Sequence, residues 1–174
     1  MIYIHYMSKP EVWLRGPVPD YDPMVLPVVH SLLQVREDLA RLEAMVAPAH
    51  VWTRPGGAAS IGFHVRHTGG ALDRLLTYAR GDGLNDRQRK FLAAEETPGE
   101  PAPGLATLVA EANDTIERSL AQLRTTDATR LLDERRVGRA GLPSTVLGLL
   151  VHAAEHSTRH LGQALTTARI LMGT

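Results

Sequence analysis

Cysteine is absent from all 174 residues, which removes disulfide frameworks, thiolate nucleophiles and every cysteine-containing zinc motif at once. Histidine and carboxylate remain as the side chains able to ligate a metal. Net charge is missing too: 19 Lys and Arg balance 19 Asp and Glu, so nothing overall draws the chain toward nucleic acid or an anionic membrane. No basic start leads into an apolar run, and Pro, Trp and charged residues interrupt the N-terminal segment early. Neither a signal peptide nor a membrane span is expected, and the cytoplasm is the default location. Strand-rich regions, internal repeats and low-complexity blocks are also lacking. At 19.0 kDa the chain is long enough to bury a core as one domain, 1–174, without disulfides or a structural metal.

What is present is helical periodicity. Residues 1–22 mix Tyr3, Tyr6, Trp13 and Tyr21 with prolines and hold no period, which predicts an extended arm laid on the body. From Met24 to Val46, Val25, Val28, Val29, Leu32, Leu33, Val35, Leu39, Leu42 and Val46 recur at helical spacing, with Pro23 and Pro27 suited to the first turn and Pro48 to the stop. Ser60 is a natural N-cap for a second helix reaching about Arg80. Gly69 and Gly70 inside it cost propensity of about 1 kcal/mol each relative to Ala, and so mark a close helix contact or a bend. A short helix is expected over Asp86 to Glu95, then the proline-rich connector TPGEPAPG. A third long helix covers Leu105 to Leu123. Residues 125–142 have room for a short hairpin but lack clean alternation and read as irregular, and Pro143 and Ser144 start a fourth helix running to about Met172. Four long amphipathic helices with one long middle connection predict an all-α fold, a four-helix bundle.

Histidine placement carries the chemistry. His152, His156 and His160 follow one another at four-residue steps, and a helical turn of about 3.6 residues stacks such side chains on nearly one face, where two imidazoles grip one ion. A third ligand has to come from elsewhere, and His67 in SIGFHVRHTGG is the leading candidate. Three imidazoles leave at least one coordination position open, as catalytic rather than structural sites do. The plain alternative is a set of helical histidines hydrogen-bonded to neighbours. His64 and His152 are expected to be supporting or core residues rather than ligands, and Gln163 is placed to orient water or a ligand. His5, His30 and His50 receive no role; Trp13 and Trp52 are expected to pack. No carboxylate directly follows a ligand histidine as in the His-Glu-x-x-His motif, which argues against a metallopeptidase. Glu155, just before His156, points about 100° away on an ideal helix.

The two histidine segments together resemble the DinB-like superfamily, including the YfiT-like proteins described as metal-dependent hydrolases. The late helix of that family looks like His-x-x-x-His-Arg-Gly-Gln; here His156, His160, Leu161, Gly162 and Gln163 match it, except that Leu161 stands where arginine is common. The early helix matches through His67, with His64 as the competing position. The resemblance implies a long crossover between helices two and three and a site of His67, His156 and His160 for a divalent ion, usually zinc or nickel. It implies a small-molecule substrate, through hydrolase chemistry or S-transfer from a low-molecular-weight thiol. The second reading is a non-catalytic metal- or ligand-binding, stress-related homodimer, since fold alone does not settle function.

Overall fold

The structure, a computed structural model, describes residues 9–173. Five α-helices follow in chain order: α1 Leu26–Met45, α2 Ile61–Arg80, α3 Asp86–Ala94, α4 Leu105–Arg124 and α5 Val146–Met172. A hairpin of β1 Glu134–Val137 and β2 Leu142–Thr145 joins the last two. The helix starts follow local chemistry. Pro27 sits in the first turn of α1, where its missing N–H is no loss. Ser60 accepts from the Phe63 N–H at the start of α2, and Gly81 ends that helix at φ 90° in the left-handed region. Asn85 and Gln88 form a reciprocal capping box on α3.

Helices α1, α2, α4 and α5 make the bundle, and the fold is all-α as expected. Helix α1 packs on α4 and α5, and α2 packs on the same two, so α1 and α2 stand diagonally across the core. Contacts fix the directions. Gly69 faces Ala112, and Gln122 donates to the Leu76 carbonyl, so α2 and α4 run parallel. His64 meets His160 while His67 meets His156, so α2 and α5 run antiparallel. Arg36 pairs with Glu117, and Tyr21, ahead of α1, lies beneath Arg124, which makes α1 antiparallel to α4.

Parallel α2 and α4 require the chain to return the length of a 20-residue helix, about 30 Å. The crossover does this along α2 itself: Gln88 contacts Thr77, Arg66 donates to the Ala94 and Pro98 carbonyls, and Trp52 donates to the Pro103 carbonyl. Leu32, Leu39, Leu42, Ile61, Leu72, Ile116 and Leu150 are fully buried at the centre. Burying each such side chain contributes about 1.5–3 kcal/mol.

Three expectations change. Residues 125–142 are not wholly irregular: Glu134 pairs with Thr145 and Val137 with Leu142, with Gly138 and Gly141 turning the hairpin at positive φ. Four-residue strands reading ERRV and LPST carry too little apolar alternation to register as strands. Pro143 and Ser144 consequently belong to β2, Pro143 on an edge where no N–H is needed. Helix α5 starts at Val146 with Thr145 as its cap, and the Val146 and Leu147 N–H groups donate to the Asp133 and Leu131 carbonyls. Trp13, finally, is 60% exposed and donates to Glu11 instead of packing. The described part of the arm does lie against α1: Val12 is buried with its N–H on the Gln34 side chain, and Arg15 pairs with Glu37. Tyr3, His5 and Tyr6 lie outside the described residues. No described helix is long and apolar enough to cross a membrane.

Candidate metal centre

The antiparallel contact of α2 with α5 brings together imidazoles that lie 89 residues apart in the chain. His67, His156 and His160 each offer a nitrogen within 4.8 Å of the other two. His67 Nε2 stands 2.9 Å from His156 Nε2, and the His160 ring lies 4.4 Å from that of His67 and 4.5 Å from that of His156, centroid to centroid. All three rings are half-buried. Phe63, one turn before His67, stacks on it at 5.2 Å and 19°.

His64 is nearly buried, and its Nδ1 lies 3.1 Å from His160 Nδ1, so it braces His160 from behind and stands outside the trio. His152 is exposed, with its Nδ1 3.4 Å from Glu155. Gln163 is exposed one turn beyond His160, and Arg159 is paired with Glu155. Leu161, at the position where the resemblance has arginine, is 4% exposed and belongs to the core. His30 touches the Gly16 carbonyl, far from the trio. Trp52 packs its ring over Gly62, as expected of a packing residue.

Two side chains that the sequence did not single out complete the centre. Glu95, just past the end of α3, is 2% exposed and accepts from His67 Nδ1 at 2.7 Å. Arg74, seven residues beyond His67 on α2, is 8% exposed and holds both Glu95 oxygens, at 2.5 and 3.3 Å. The readable hint was Arg74 itself, a cation two turns from His67 on the inward side of the helix.

Burial pushes the pKa of His156 down to about 4 and that of His160 down to about 3, with His67 the next contributor to each. Burial lowers His64 as well. Burial alone would raise the Glu95 pKa, but the hydrogen bonds from His67 and Arg74 outweigh it and hold the group below the usual carboxylate range. His156 and His160 are therefore neutral at pH 7, the form in which imidazole ligates a metal.

The donor set fits a divalent ion on its own chemistry. Two imidazole nitrogens at 2.9 Å with lone pairs facing each other repel unless a proton or a cation lies between them. His156 Nδ1 is also buried without a hydrogen-bond partner, so nothing in the bundle ties that ring to another arrangement. A cavity of about 780 Å³ lies on another side of α2, between α2, α3 and α4. None of the three histidines lines it, whereas Arg74, Gly70, Gln88 and Thr115 do.

An all-α bundle with three histidines converging from its second and last helices defines the class. The sequence profile of the DinB superfamily matches residues 31–164, well over half of the chain, and the chain belongs to that superfamily. A conserved protein from Enterococcus faecalis, known from its crystal structure, is similar in fold at a TM-score of 0.68 and 19% identity, over 85% of this chain and 96% of that one. Comparison with curated proteins finds no match.

Proposed function

We propose that this protein binds one divalent ion, zinc or nickel, through His67, His156 and His160, and that it is a metal-dependent enzyme acting on a small molecule in the cytoplasm. Two reaction types suit the centre: hydrolysis, and S-transfer from a low-molecular-weight thiol. The convergence of the three imidazoles within 4.8 Å carries this reading. A chain without cysteine has to take any transferred thiol from solution.

When bound, such an ion supplies Lewis acidity, which favours proton loss from water or from a thiol near neutral pH. The protein's own residues do the rest. Burial keeps His156 and His160 neutral and so ready to donate lone pairs. His64 braces His160, and Phe63 shields one face of His67 from water. Three protein ligands leave room for a further group beside them.

Metal analysis of protein purified without a histidine tag tests the reading. About one ion per chain is expected in the native protein, with loss of uptake in His156→Ala and His160→Ala. Native protein that takes up no stoichiometric zinc or nickel, together with variants that behave identically, overturns it. Metal-dependent consumption of a low-molecular-weight thiol in the presence of an electrophile then separates S-transfer from hydrolysis.

A further inference from the structure

We infer that Glu95 is the positioning residue for His67: its carboxylate, delivered by the crossover helix α3, keeps the imidazole proton on Nδ1 and so leaves the Nε2 lone pair directed at His156 and His160. The inference rests on the metal-binding reading for its purpose, though the proton placement stands apart from it. A carboxylate can only accept, so at 2.7 Å from Glu95 Oε2 the His67 Nδ1 is the donor. A neutral imidazole carries one proton, and Nε2 is then bare. That nitrogen is the one 2.9 Å from His156 Nε2.

The surrounding residues hold this arrangement in place. Arg74 grips both carboxylate oxygens, so Glu95 cannot swing away without stranding a buried guanidinium. Beside Arg74 on α2, the Gln88 amide donates to Asp73 and Thr77 at 2.7 and 2.8 Å, which anchors the start of α3. Gly70 makes the approach possible. A Cβ built there would collide with Glu95 Oε1 and lie 2.5 Å from a Phe91 ring carbon, so any larger residue displaces the carboxylate or the ring. The glycine pair thus has two separate tasks, since Gly69 faces Ala112 of α4 at 3.3 Å. A partner holding the second nitrogen of a ligand histidine typically changes metal affinity about 10–100-fold.

The test uses the full chain and the variants Glu95→Ala and Glu95→Gln, with two readouts. In the metal-free protein at pH 8, long-range proton–nitrogen spectra report which His67 nitrogen carries the proton. Wild type is expected to carry it on Nδ1, Glu95→Ala to move toward the Nε2 form, and Glu95→Gln, whose amide oxygen still accepts, to stay with wild type. Zinc affinity by chelator competition is expected to fall roughly 10–100-fold in Glu95→Ala and to be partly restored in Glu95→Gln. A wild-type proton on Nε2 overturns the inference. So does a Glu95→Ala protein that loses thermal stability while keeping wild-type zinc affinity or, if that variant does not fold, a Glu95→Gln protein whose His67 proton has moved to Nε2. Wild type with the Nδ1 proton but no zinc uptake supports Glu95 as the positioning residue and overturns the metal reading alone.

Discussion

Replacing Arg74 by Met isolates the energetics of the buried pair. Arg74 and Glu95 are 8% and 2% exposed, so the substitution leaves a carboxylate shut away from water with only His67 to offset its charge. Removing one partner of a buried pair costs about 3–5 kcal/mol, a large part of the roughly 5–15 kcal/mol that holds a typical domain folded. At about 2–4 °C per kcal/mol for a chain of this size, the melting temperature should fall by about 6–20 °C. Urea denaturation of the metal-free protein at pH 7 measures the loss, with an unchanged m-value certifying that the same surface unfolds. The double variant Arg74→Met, Glu95→Gln removes both charges and should recover about 2 kcal/mol or more of the loss, as contacting residues couple. An Arg74→Met protein within about 1 kcal/mol of wild type, set against that 3–5 kcal/mol expectation, would refute the reasoning. A double variant as unstable as the sum of its singles would do the same.

Three further outcomes follow from the packing and the site. Because the folded-state pKa values of His156 and His160, about 4 and 3, lie below the unfolded value near 6.5, the unfolded chain takes up protons first on acidification. Stability from these groups is whole above about pH 6.5 and drains as the pH falls toward 3; melting of the metal-free protein at pH 7.5 and 5 should show this, and a His156→Gln, His160→Gln variant should show a shallower decline. Gly62→Ala places a Cβ 2.8 Å from the Trp52 ring, so it should cost about 1–3 kcal/mol and shift tryptophan fluorescence, whereas an unshifted spectrum would show that the ring does not rest on Gly62. Leu150→Ala, at a fully buried position, should cost about 2–5 kcal/mol in denaturant while leaving the metal uptake proposed for the three histidines unchanged.

The long helices and the stacking of His156 with His160 were legible because both are periodic signals, and a period of about 3.6 states which side chains share a face; His67, on another helix, was legible only as a candidate that the family resemblance favoured over His64. Ser60 and Gly81 bracket α2 as their chemistry predicts. The glycine pair was readable as a contact, and α2 runs through it without a break from Ile61 to Arg80. Glu95 was not legible: it follows a short helix in a connector, 28 residues from His67, and nothing local separates a buried carboxylate there from the exposed Glu96 beside it. Its role depends on where the crossover lands, which is a tertiary fact. The hairpin escaped for a similar reason, since its strands are held by backbone pairing and by the start of α5 rather than by an apolar face. Trp13 shows the converse, a large ring at the surface where composition alone suggests packing.

The return path along α2 separates two jobs that many folds give to the same residues. Bundle stability resides in α1, α2, α4 and α5, while the stretch from Gly81 to Gly104 runs past the histidines and carries little of the central core. Apart from Glu95 and Gln88, whose buried bonds hold it to α2, its sequence can drift at small cost to the scaffold, and changes near Glu95 alter the neighbourhood of His67. Evolution working on such a chain could remodel the surroundings of the histidine trio by rewriting a tether, leaving the histidine-bearing helices as they are.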